Sequence, residues 1–210
     1  MYKIKYNRDY FGEDVNVVAV TKYLGKEYLS MYYENGYKEY GENRVNSFLE
    51  KYAYFHKDDI KWHFIGHLQK NKCKNVINKI DYLHSLESLE LANLINKYSD
   101  KKVNCFIEIN INEEESKYGI KKDDLFSFYE EVVKYEKVNI IGLMCIAKNT
   151  LDQEYLYNSF KEMNNLLNQL NNKYNVNLKE LSMGMSNDYE LAIKNNATYI
   201  RLGSILIEEE

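Results

Sequence analysis

Short β-rich runs alternate with helical stretches along the whole chain, and this alternation restricts the fold more than any other feature of the sequence. Eight β-rich runs can be distinguished, and a helical pattern follows each but the last. They cover residues 15–21, 37–40, 60–65, 80–84, 103–110, 138–146, 178–183 and 198–202. Such alternation predicts a parallel sheet with right-handed crossovers, either an open doubly wound sheet or a closed barrel. Eight units in 210 residues favour a small (β/α)8 TIM barrel, an α/β fold in which residues 1–210 form a single domain.

Two segments show the clearest helical periodicity. Apolar residues recur with helical spacing at positions 91, 94, 95 and 98, and again at positions 156, 160, 163, 167 and 170. Thr150 and Gln153 have the spacing of a capping box ahead of the second helix. Ser85 and Ser186 stand where the N-caps of two further helices are expected. The closing residues 208–210, all glutamate, are predicted to be a solvated tail.

The charge balance excludes several classes of function. Lys and Arg number 28 against 32 Asp and Glu, which gives a net charge of −4 and makes general binding to nucleic acid or to anionic membranes unfavourable. No apolar run approaches the roughly 20 residues of a membrane span, and the N-terminal segment lacks the apolar core of a secretory signal. The three cysteines are far apart and form no CxxC pair, which disfavours disulfides and structural zinc. We therefore expect a cytoplasmic protein.

Lys22 ends the first predicted strand and shares its side-chain parity with Val18 and Val20. If the two valines point into the barrel, Lys22 does so as well. A lysine in this position has two interpretations. It is either a strand-end lysine whose stem is buried while its amine reaches water, or a desolvated amine that forms a Schiff base with an aldehyde. The strand end by itself leaves both open.

The last two predicted strands end in segments suited to binding phosphate. The seventh strand leads into residues 182–186 (SMGMS), and the eighth ends in residues 201–204 (RLGS). Both segments offer glycine, hydroxyls and free backbone N–H groups, and a helix after Ser186 would add its positive N-terminal end. Loops after strands seven and eight are a frequent phosphate site in this type of barrel. Together with Lys22 they predict a ligand that carries both an aldehyde and a phosphate, which fits a cofactor or, for an aldolase, a phosphosugar.

The chain resembles the pyridoxal-phosphate homeostasis protein family, which is also described as similar to the N-terminal domain of alanine racemase. The segments that carry the resemblance occur in the family's order and spacing. They are VVAVTK (17–22), YGEN (40–43), WHFIGHLQKNK (62–72), EININEEESKYGI (108–120), IIGLMCI (140–146), LSMGMSNDYELAI (181–193) and YIRLGSILI (199–207). The resemblance implies a single (β/α)8 barrel of the alanine racemase N-terminal-domain type that carries pyridoxal 5′-phosphate (PLP). Members commonly have a helix before the first strand, whereas only a short segment precedes Val15 here.

The resemblance also implies roles for individual residues. Lys22 matches the lysine that forms the internal aldimine with PLP, and Arg201 matches an arginine that faces the pyridine nitrogen. The phosphate-binding positions correspond to Ser182, Ser186, Gly203 and Ser204. Further positions that line the cofactor pocket correspond to Asn43, His63 and Met183. The family usually has threonine in place of Ser204, and serine keeps the hydroxyl.

The arginine at position 201 bears on what the cofactor could do. Because an arginine is always charged, it disfavours a proton on the pyridine nitrogen, and the cofactor then stabilises carbanions poorly. The resemblance thus implies a protein that holds, buffers or delivers PLP to apoenzymes, with no dedicated turnover. The alternative is a PLP-dependent amino acid racemase-like enzyme. Alanine racemases also use an arginine there, but they add a second domain with a tyrosine base and complete their sites across a dimer. Since the sequence ends at residue 210, directly after the eighth strand, we expect no such domain and a monomer.

The remaining candidate residues lie outside this constellation. His63 and His67 are four residues apart, but Gly66 and the strand around them argue against a helix, so we expect no metal site. Four lysines suggest a basic helix that is either a solvated face or a partner surface; they are Lys70, Lys72, Lys74 and Lys79.

The fifth predicted strand suggests a further group inside the barrel. Glu108 and Asn110 share one parity and are expected to face the interior, where a buried carboxylate needs a cation such as Lys22 or Arg201. The turn at residues 116–119, which begins with Ser116, is either a cover over the pocket or a surface loop.

Overall fold

The computed structural model describes residues 2–114 and 117–210, and its main feature is a closed barrel of eight parallel strands. In chain order the strands are β1 (Tyr2–Ile4), β2 (Asn16–Val20), β3 (Glu39–Glu42), β4 (Lys61–Phe64), β5 (Tyr82–Leu86), β6 (Val103–Glu108), β7 (Val138–Met144), β8 (Glu180–Ser182), β9 (Tyr199–Leu202) and β10 (Ile207–Glu209). Strands β2 to β9 follow one another around the barrel, and β9 pairs with β2 to close it. The predicted (β/α)8 architecture is confirmed, and the open sheet is not formed.

A helix lies between each pair of consecutive barrel strands. The helices are α1 (Leu29–Glu34), α2 (Val45–Tyr54), α3 (Cys73–Val76), α4 (Leu89–Tyr98), α5 (Leu125–Val132), α6 (Gln153–Tyr174) and α7 (Tyr189–Ile193). The two helices with the clearest periodicity bury the face that the pattern indicates, as at Leu91 and Ile95 in α4 and at Phe160 and Met163 in α6. Burial of these apolar stripes against the sheet holds the helices to the barrel.

The helices begin at other residues than the capping pattern predicts. The N-cap of α4 is Ser88, whose Oγ accepts a hydrogen bond from the backbone N–H three residues further on, whereas Ser85 lies within β5. In α6 the cap is Asp152 in place of Thr150. Helix α7 starts only three residues after Ser186, which is not its cap. Several short polar side chains stand near each helix start, and the spacing does not distinguish which of them lies at the turn.

The barrel is filled by side chains. A small apolar cluster of buried residues lies inside the barrel, near its middle. Its members are Val18, Phe106, Met144 and Tyr199. A much larger apolar core lies between the outside of the strands and the helices. The strand alternation separates these two layers, because successive side chains point to opposite faces of the sheet. The small inner cluster leaves room along the axis for the polar side chains described below.

The two ends of the chain pair with each other outside the barrel. Strand β1 is antiparallel to β10, with Tyr2 opposite Glu209 and Ile4 opposite Ile207. The closing glutamates are therefore not a free tail, because Glu208 and Glu209 belong to this strand pair. Between β1 and β2 the chain forms a 3-10 turn, Arg8–Phe11.

No helix among the described residues is both long and apolar enough to cross a bilayer. The longest, α6, has 22 residues but buries only one stripe of its surface, which includes Leu156, Phe160 and Leu167. Its other face carries charged and amide side chains, as expected for a helix on the outside of a barrel.

Candidate functional site

A cavity of about 480 Å³ opens at the face where the barrel strands end. Its wall is formed by segments that follow β2, β3, β4, β7, β8 and β9. Six of the nine predicted cofactor contacts line it: Lys22, Asn43, Ser186, Arg201, Gly203 and Ser204. We call it the strand-end cavity. Its volume lies within the range of about 300–1,000 Å³ that is usual for small-molecule sites, and its position is the one at which barrels of this type carry function.

Lys22 reaches the strand-end cavity from a single 3-10 turn, Thr21–Tyr23, that follows β2. Val20 lines the same cavity as Lys22, in line with their shared strand parity. The Lys22 side chain is exposed, and its Nζ lies 4.9 Å from the centroid of the Tyr23 ring. The amine is therefore accessible to a ligand that enters the cavity.

A buried polar cluster fixes the backbone immediately before Lys22. The Nζ of Lys51, on α2, lies 2.5 Å from Glu42 Oε1 and donates to the backbone carbonyl of Thr21 at 2.6 Å. The hydroxyls of Thr21 and Ser47 donate to the two carboxylate oxygens of Glu42, at 2.5 and 2.9 Å. The ion pair is almost wholly buried, with side chains 5% and 0% exposed. It ties α2 and β3 to the turn that carries Lys22.

Hydroxyl and backbone donors converge on Ser186 in the wall of the strand-end cavity. The N–H groups of Gly203 and Ile205 point at Ser186 Oγ over 3.5 and 3.4 Å, and the Ser204 hydroxyl lies 3.3 Å from the same oxygen. These hydrogen bonds are long compared with the usual 2.7–3.2 Å, so the donors are held only weakly by one another. Such a set of loosely paired donors is suited to an anion that accepts from all of them. We call it the phosphate cradle.

Two glycines give the phosphate cradle its shape. Gly184, in the loop after β8, has φ of +92°, which side-chain-bearing residues rarely adopt, and a Cβ there would lie 2.7 Å from the Cβ of Ala192. At Gly203 a Cβ would lie 2.5 Å from the Tyr23 ring. The close approach of these segments therefore depends on glycine. Asp188 accepts from the backbone N–H of Met185 at 2.5 Å and stabilises the same loop.

Arg201 lies on β9, and its buried guanidinium belongs to the wall of the strand-end cavity. Its Nη1 donates to Ser182 Oγ at 2.6 Å, and its Nη2 donates to the backbone carbonyl of Cys145 at 2.9 Å. Burial lowers the pKa of Arg201, whereas Cys145, Asp188 and Glu108 oppose that shift. A guanidinium nevertheless stays charged at neutral pH, so the cavity wall contains a fixed cation.

Three predicted cofactor contacts do not line the strand-end cavity. Ser182, the last residue of β8, is buried behind Arg201 and does not add a donor to the phosphate cradle. His63 lies deeper in the barrel, where its ring stacks on that of Tyr82 with 4.4 Å between the ring centroids. Met183 follows Ser182 and faces the opposite way, into the apolar core outside the strands. The family resemblance was the signal for all three, joined for Ser182 by its place at a strand end, and neither signal tells which side of the sheet a side chain occupies or how deep it lies.

Glu108 is buried inside the barrel, as its strand parity predicts, but Asn110 has a different role. Burial and the neighbouring Glu87 raise the pKa of Glu108 to about 7, while Arg201 lowers it. Arg201 is thus the cation that acts on this carboxyl group. The Asn110 side chain holds the following loop, since its Nδ2 donates to the backbone carbonyl of Glu114 at 2.8 Å.

The cavity wall also contains residues that the sequence analysis did not select. Tyr23 directly follows Lys22, and Lys148 lies in the segment after β7. Asp188 lines the same cavity after β8. The rule that function lies at the strand ends would have selected Lys148 and Asp188, because both follow a predicted strand within six residues. The same rule covers Tyr23, two residues after the first predicted strand, although the 3-10 turn sets where its ring lies.

The other candidate residues form ordinary surface contacts. The Nδ1 of His67 lies 2.5 Å from Glu87 Oε1, and its ring stacks on that of Tyr118 with 4.1 Å between the ring centroids. Within the described ranges, no three His, Cys, Asp or Glu side chains come together in a way that could hold a metal ion. The predicted basic helix is a 3-10 turn followed by the short α3, and its Lys70 pairs with Glu90 on α4.

The predicted turn at residues 116–119 is only partly described, because Ser116 lies outside the described residues. Lys117 donates to the backbone carbonyl of Ala147, in the cavity wall, at 3.4 Å. The backbone N–H of Gly119 donates to Glu87 at 3.0 Å. The described part of the turn therefore lies against the strand-end cavity.

Comparison with known proteins places this geometry in a family. The sequence matches the profile of the alanine racemase N-terminal domain over residues 3–209. It is 37% identical over 196 residues to the pyridoxal phosphate homeostasis protein of Aquifex aeolicus, covering 92% of this chain and 86% of that protein. It is 34% identical over 212 residues to the protein of the same name from Helicobacter pylori strain J99, covering 99% of this chain and 92% of that protein.

Solved structures with the same barrel fold also match the chain. PipY of Synechococcus elongatus, determined with PLP bound, superposes with a TM-score of 0.85 at 29% identity, covering 92% of either chain. An alanine racemase of Clostridium difficile superposes with a TM-score of 0.78 at 15% identity, covering 97% of this chain and 57% of that one. At 15% identity, the similarity to the alanine racemase shows only that the two chains share a fold.

The molecule is thus a PLP-type barrel with the fold of the alanine racemase N-terminal domain. More narrowly, the chain belongs to the pyridoxal phosphate homeostasis protein family. The resemblance inferred from the sequence motifs is confirmed.

The buried pair beneath Lys22 predicts a large effect on stability. Lys51→Met should lower the free energy of unfolding by ~3–5 kcal/mol, because it leaves the Glu42 carboxylate buried without a cation. Adding Glu42→Gln to this variant should restore part of the loss, since no buried charge then remains. The matched control is Lys26→Met, which breaks a pair with Glu50 whose side chains are 40% and 61% exposed and should cost less than ~1 kcal/mol. Equal losses in urea denaturation for the two lysine variants would contradict the role of the buried pair.

The raised pKa of Glu108 predicts a dependence of stability on pH. The folded protein binds this proton up to about pH 7, whereas an unfolded chain releases it near pH 4.5. The free energy of unfolding should therefore decrease as pH rises through this window, by up to ~3 kcal/mol from Glu108. Glu108→Gln should remove the decrease, so that it is more stable than the parent protein at pH 8 but not at pH 4. Glu136→Gln, at an exposed position, should leave the pH dependence unchanged; a decrease that persists in Glu108→Gln would refute the assignment.

Proposed function

We propose that this protein binds PLP in the strand-end cavity and takes part in intracellular PLP homeostasis by holding, buffering or delivering the cofactor. One observation carries the proposal: an accessible amine at Lys22 and the phosphate cradle around Ser186 border the same cavity. PLP has an aldehyde and a phosphate, and these two groups need an amine and a set of hydrogen-bond donors. The names of the relatives and the PLP-bound structure of PipY support the same conclusion.

The donor set fits a phosphate dianion. The hydroxyls of Ser186 and Ser204 and the N–H groups of Gly203 and Ile205 are all neutral donors, and they are held only loosely by one another. An acceptor with several oxygen atoms can take all of these hydrogen bonds at once. In this proposal the four residues hold the phosphate, and Asn43 borders the space between the phosphate cradle and Lys22.

Lys22 and Arg201 would act on the rest of the cofactor. Bound PLP supplies an electrophilic carbonyl carbon and a conjugated ring that can accept negative charge. Lys22 offers its Nζ for covalent attachment. Arg201 presents a permanent cation toward the ring nitrogen and keeps a proton from binding there, which weakens the ring as an electron acceptor. A site of this kind retains a cofactor well and promotes chemistry at a bound amino acid poorly.

The proposal revises the predicted contacts. Lys22, Asn43, Ser186, Arg201, Gly203 and Ser204 remain direct contacts. Ser182 and His63 are assigned a place behind Arg201, and Met183 is assigned to the packing around β8.

The proposal extends to assembly and location. Every predicted cofactor contact comes from one copy of the chain, so residues 1–210 would act as one PLP-binding barrel and a monomer would be sufficient. We further propose that the protein acts in the cytoplasm and that PLP-dependent apoenzymes receive the cofactor from it.

Covalent attachment at Lys22 is the first test. Borohydride reduction of the PLP-loaded protein followed by peptide mapping should find the cofactor on the peptide that contains Lys22, because its amine is exposed in the strand-end cavity. Lys22→Ala should abolish this adduct and retain weaker, non-covalent binding through the phosphate cradle. Lys148→Ala removes a second exposed lysine of the same cavity and should leave the adduct intact. An adduct on Lys148 in the parent protein would contradict the proposal.

The phosphate cradle is the second test. Ser186→Ala or Ser204→Ala should weaken PLP binding roughly ten- to a hundredfold, since a hydrogen bond to a charged acceptor contributes about 1.5–3 kcal/mol. Ser127→Ala, which removes a hydroxyl at the start of α5, should have no effect. Pyridoxal, which lacks the phosphate, should bind the parent protein much more weakly than PLP and should not discriminate among the three variants. Equal affinity for PLP and pyridoxal in equilibrium titrations would rule out the phosphate cradle as the main source of affinity.

A further inference from the structure

Five polar side chains form a continuous hydrogen-bonded chain through the barrel interior. Arg201 Nη1 donates to Ser182 Oγ at 2.6 Å, and Ser182 Oγ lies 2.7 Å from His84 Nδ1. His84 Nε2 lies 2.8 Å from His63 Nδ1, and His63 Nε2 contacts the carboxylate of Glu39. We call this series the interior chain. It begins in the wall of the strand-end cavity and ends at the first residue of β3, at the opposite mouth of the barrel.

The two ends of the interior chain determine the direction of its hydrogen bonds. A guanidinium can only donate and a carboxylate can only accept. With Arg201 donating to its oxygen, the Ser182 hydroxyl is free to donate to His84 Nδ1. The Nε2–H of His84 then donates to His63 Nδ1, and the Nε2–H of His63 donates to Glu39. In this arrangement each imidazole nitrogen of His63 and His84 has a partner, and each ring has its proton on Nε2.

The charges around the interior chain agree with this arrangement. Burial, His63 and Arg201 all lower the pKa of His84, so its ring is neutral. Among the described residues, no carboxylate pairs with the Arg201 guanidinium within 4.0 Å. The two nearest acidic groups are Glu108 and Asp188, and burial raises the pKa of both. Glu39 supplies the carboxylate of the interior chain, and its side chain is 25% exposed.

We propose that Glu39 is a remote counter-ion of Arg201, and that Ser182, His84 and His63 are positioning residues that transmit its effect to the cavity wall. The proposal rests on the proposed function for the identity of the ligand. Successive hydrogen bonds polarise one another, so a carboxylate at the far end strengthens the donation from Arg201 to Ser182. The remaining N–H groups of the guanidinium then donate less strongly to a ligand. The opposite mouth of the barrel thereby regulates how firmly Arg201 holds the ring nitrogen of PLP.

The surroundings of Glu39 provide a matched control. The Tyr82 ring stacks on His63 with an interplanar angle of 3°, and Tyr199 lies beside both rings. Glu180, the first residue of β8, lies at the same mouth and is half-buried, but it is not part of the interior chain. Glu180→Gln therefore removes one negative charge from this mouth without interrupting the hydrogen bonds.

The first experiment needs no cofactor. Nitrogen-15 NMR of the imidazole rings in the protein without added PLP should find His63 and His84 each with a proton on Nε2 and none on Nδ1. Glu39→Gln should allow the opposite tautomer to appear at both rings, because an amide can donate as well as accept, whereas Glu180→Gln should change neither ring. A proton on Nδ1 of either ring in the parent protein, or identical spectra for the two variants, would overturn the proposal. This result does not depend on whether PLP is the ligand.

The second experiment measures the effect on the cavity. Glu39→Gln should bind PLP roughly three- to tenfold more tightly than the parent protein, since the freed guanidinium donates more strongly. A deaza analogue of PLP, which has a carbon in place of the ring nitrogen, should bind both proteins equally. Glu180→Gln should match the parent protein for both ligands.

A double-mutant cycle then tests the route of transmission. In a Ser182→Ala background, where the interior chain is cut beside Arg201, Glu39→Gln should no longer change the affinity for PLP. An effect that persists in this background, or that is equally large for the deaza analogue, would show a general change in charge or fold and would overturn the proposal. Thermal unfolding of each variant, measured alongside, confirms that the binding data refer to folded protein. If PLP bound to no variant, the proposed function would fail, while the NMR experiment would still decide the state of the interior chain.

Discussion

The pairing of β2 with β9 is the constraint on which the rest of the structure depends. It joins the first and last strands of the barrel, in a register that sets Val18 beside Arg201 and Ala19 beside Leu202. Because the strands are parallel, their carboxyl ends emerge on one face, and Lys22 and Ser204 border the same cavity although they are far apart in sequence. The entropic cost of closing such a long segment grows only slowly with its length, so seven strand–helix units can separate the two halves of a site.

Closure of the barrel also creates an interior that this chain fills with polar as well as apolar side chains. The inner apolar cluster is small, and the space around it contains Glu39, His63, His84, Ser182 and Arg201. Buried polar groups are costly unless each finds a partner. These side chains form a series of hydrogen bonds, which runs from the Arg201 guanidinium, which can only donate, to the Glu39 carboxylate, which can only accept. The same requirement explains the Glu42–Lys51 cluster, where two hydroxyls and a backbone carbonyl complete the ion pair.

The fold could be predicted from the sequence because it follows from a repeated pattern, but the depth of each side chain could not. Eight β-rich runs separated by helical spacing were sufficient for the barrel, and residues after the first and last strands were sufficient for Lys22, Gly203 and Ser204. Motif spacing gives no depth along the barrel axis, so it did not indicate that Ser182 and His63 lie behind the cavity wall. No local pattern in the sequence indicated His84 or Glu39, because the hydrogen bonds of the interior chain join side chains on different strands. Helix starts were uncertain for a related reason: neighbouring polar residues compete for one cap.

The phosphate cradle and the Lys22 amine differ in how firmly their groups are held, and this difference bears on the proposed role. In the phosphate cradle, the backbone N–H groups of Gly203 and Ile205 are fixed by the chain itself, and Gly184 allows the facing loop to approach. Lys22 has a fixed backbone but an exposed side chain that can rotate. A ligand would thus be oriented by its phosphate while its aldehyde meets a water-accessible amine. Strong retention of one end combined with an exposed reactive end favours exchange of the cofactor with other amines, and it opposes catalysis that needs water to be excluded.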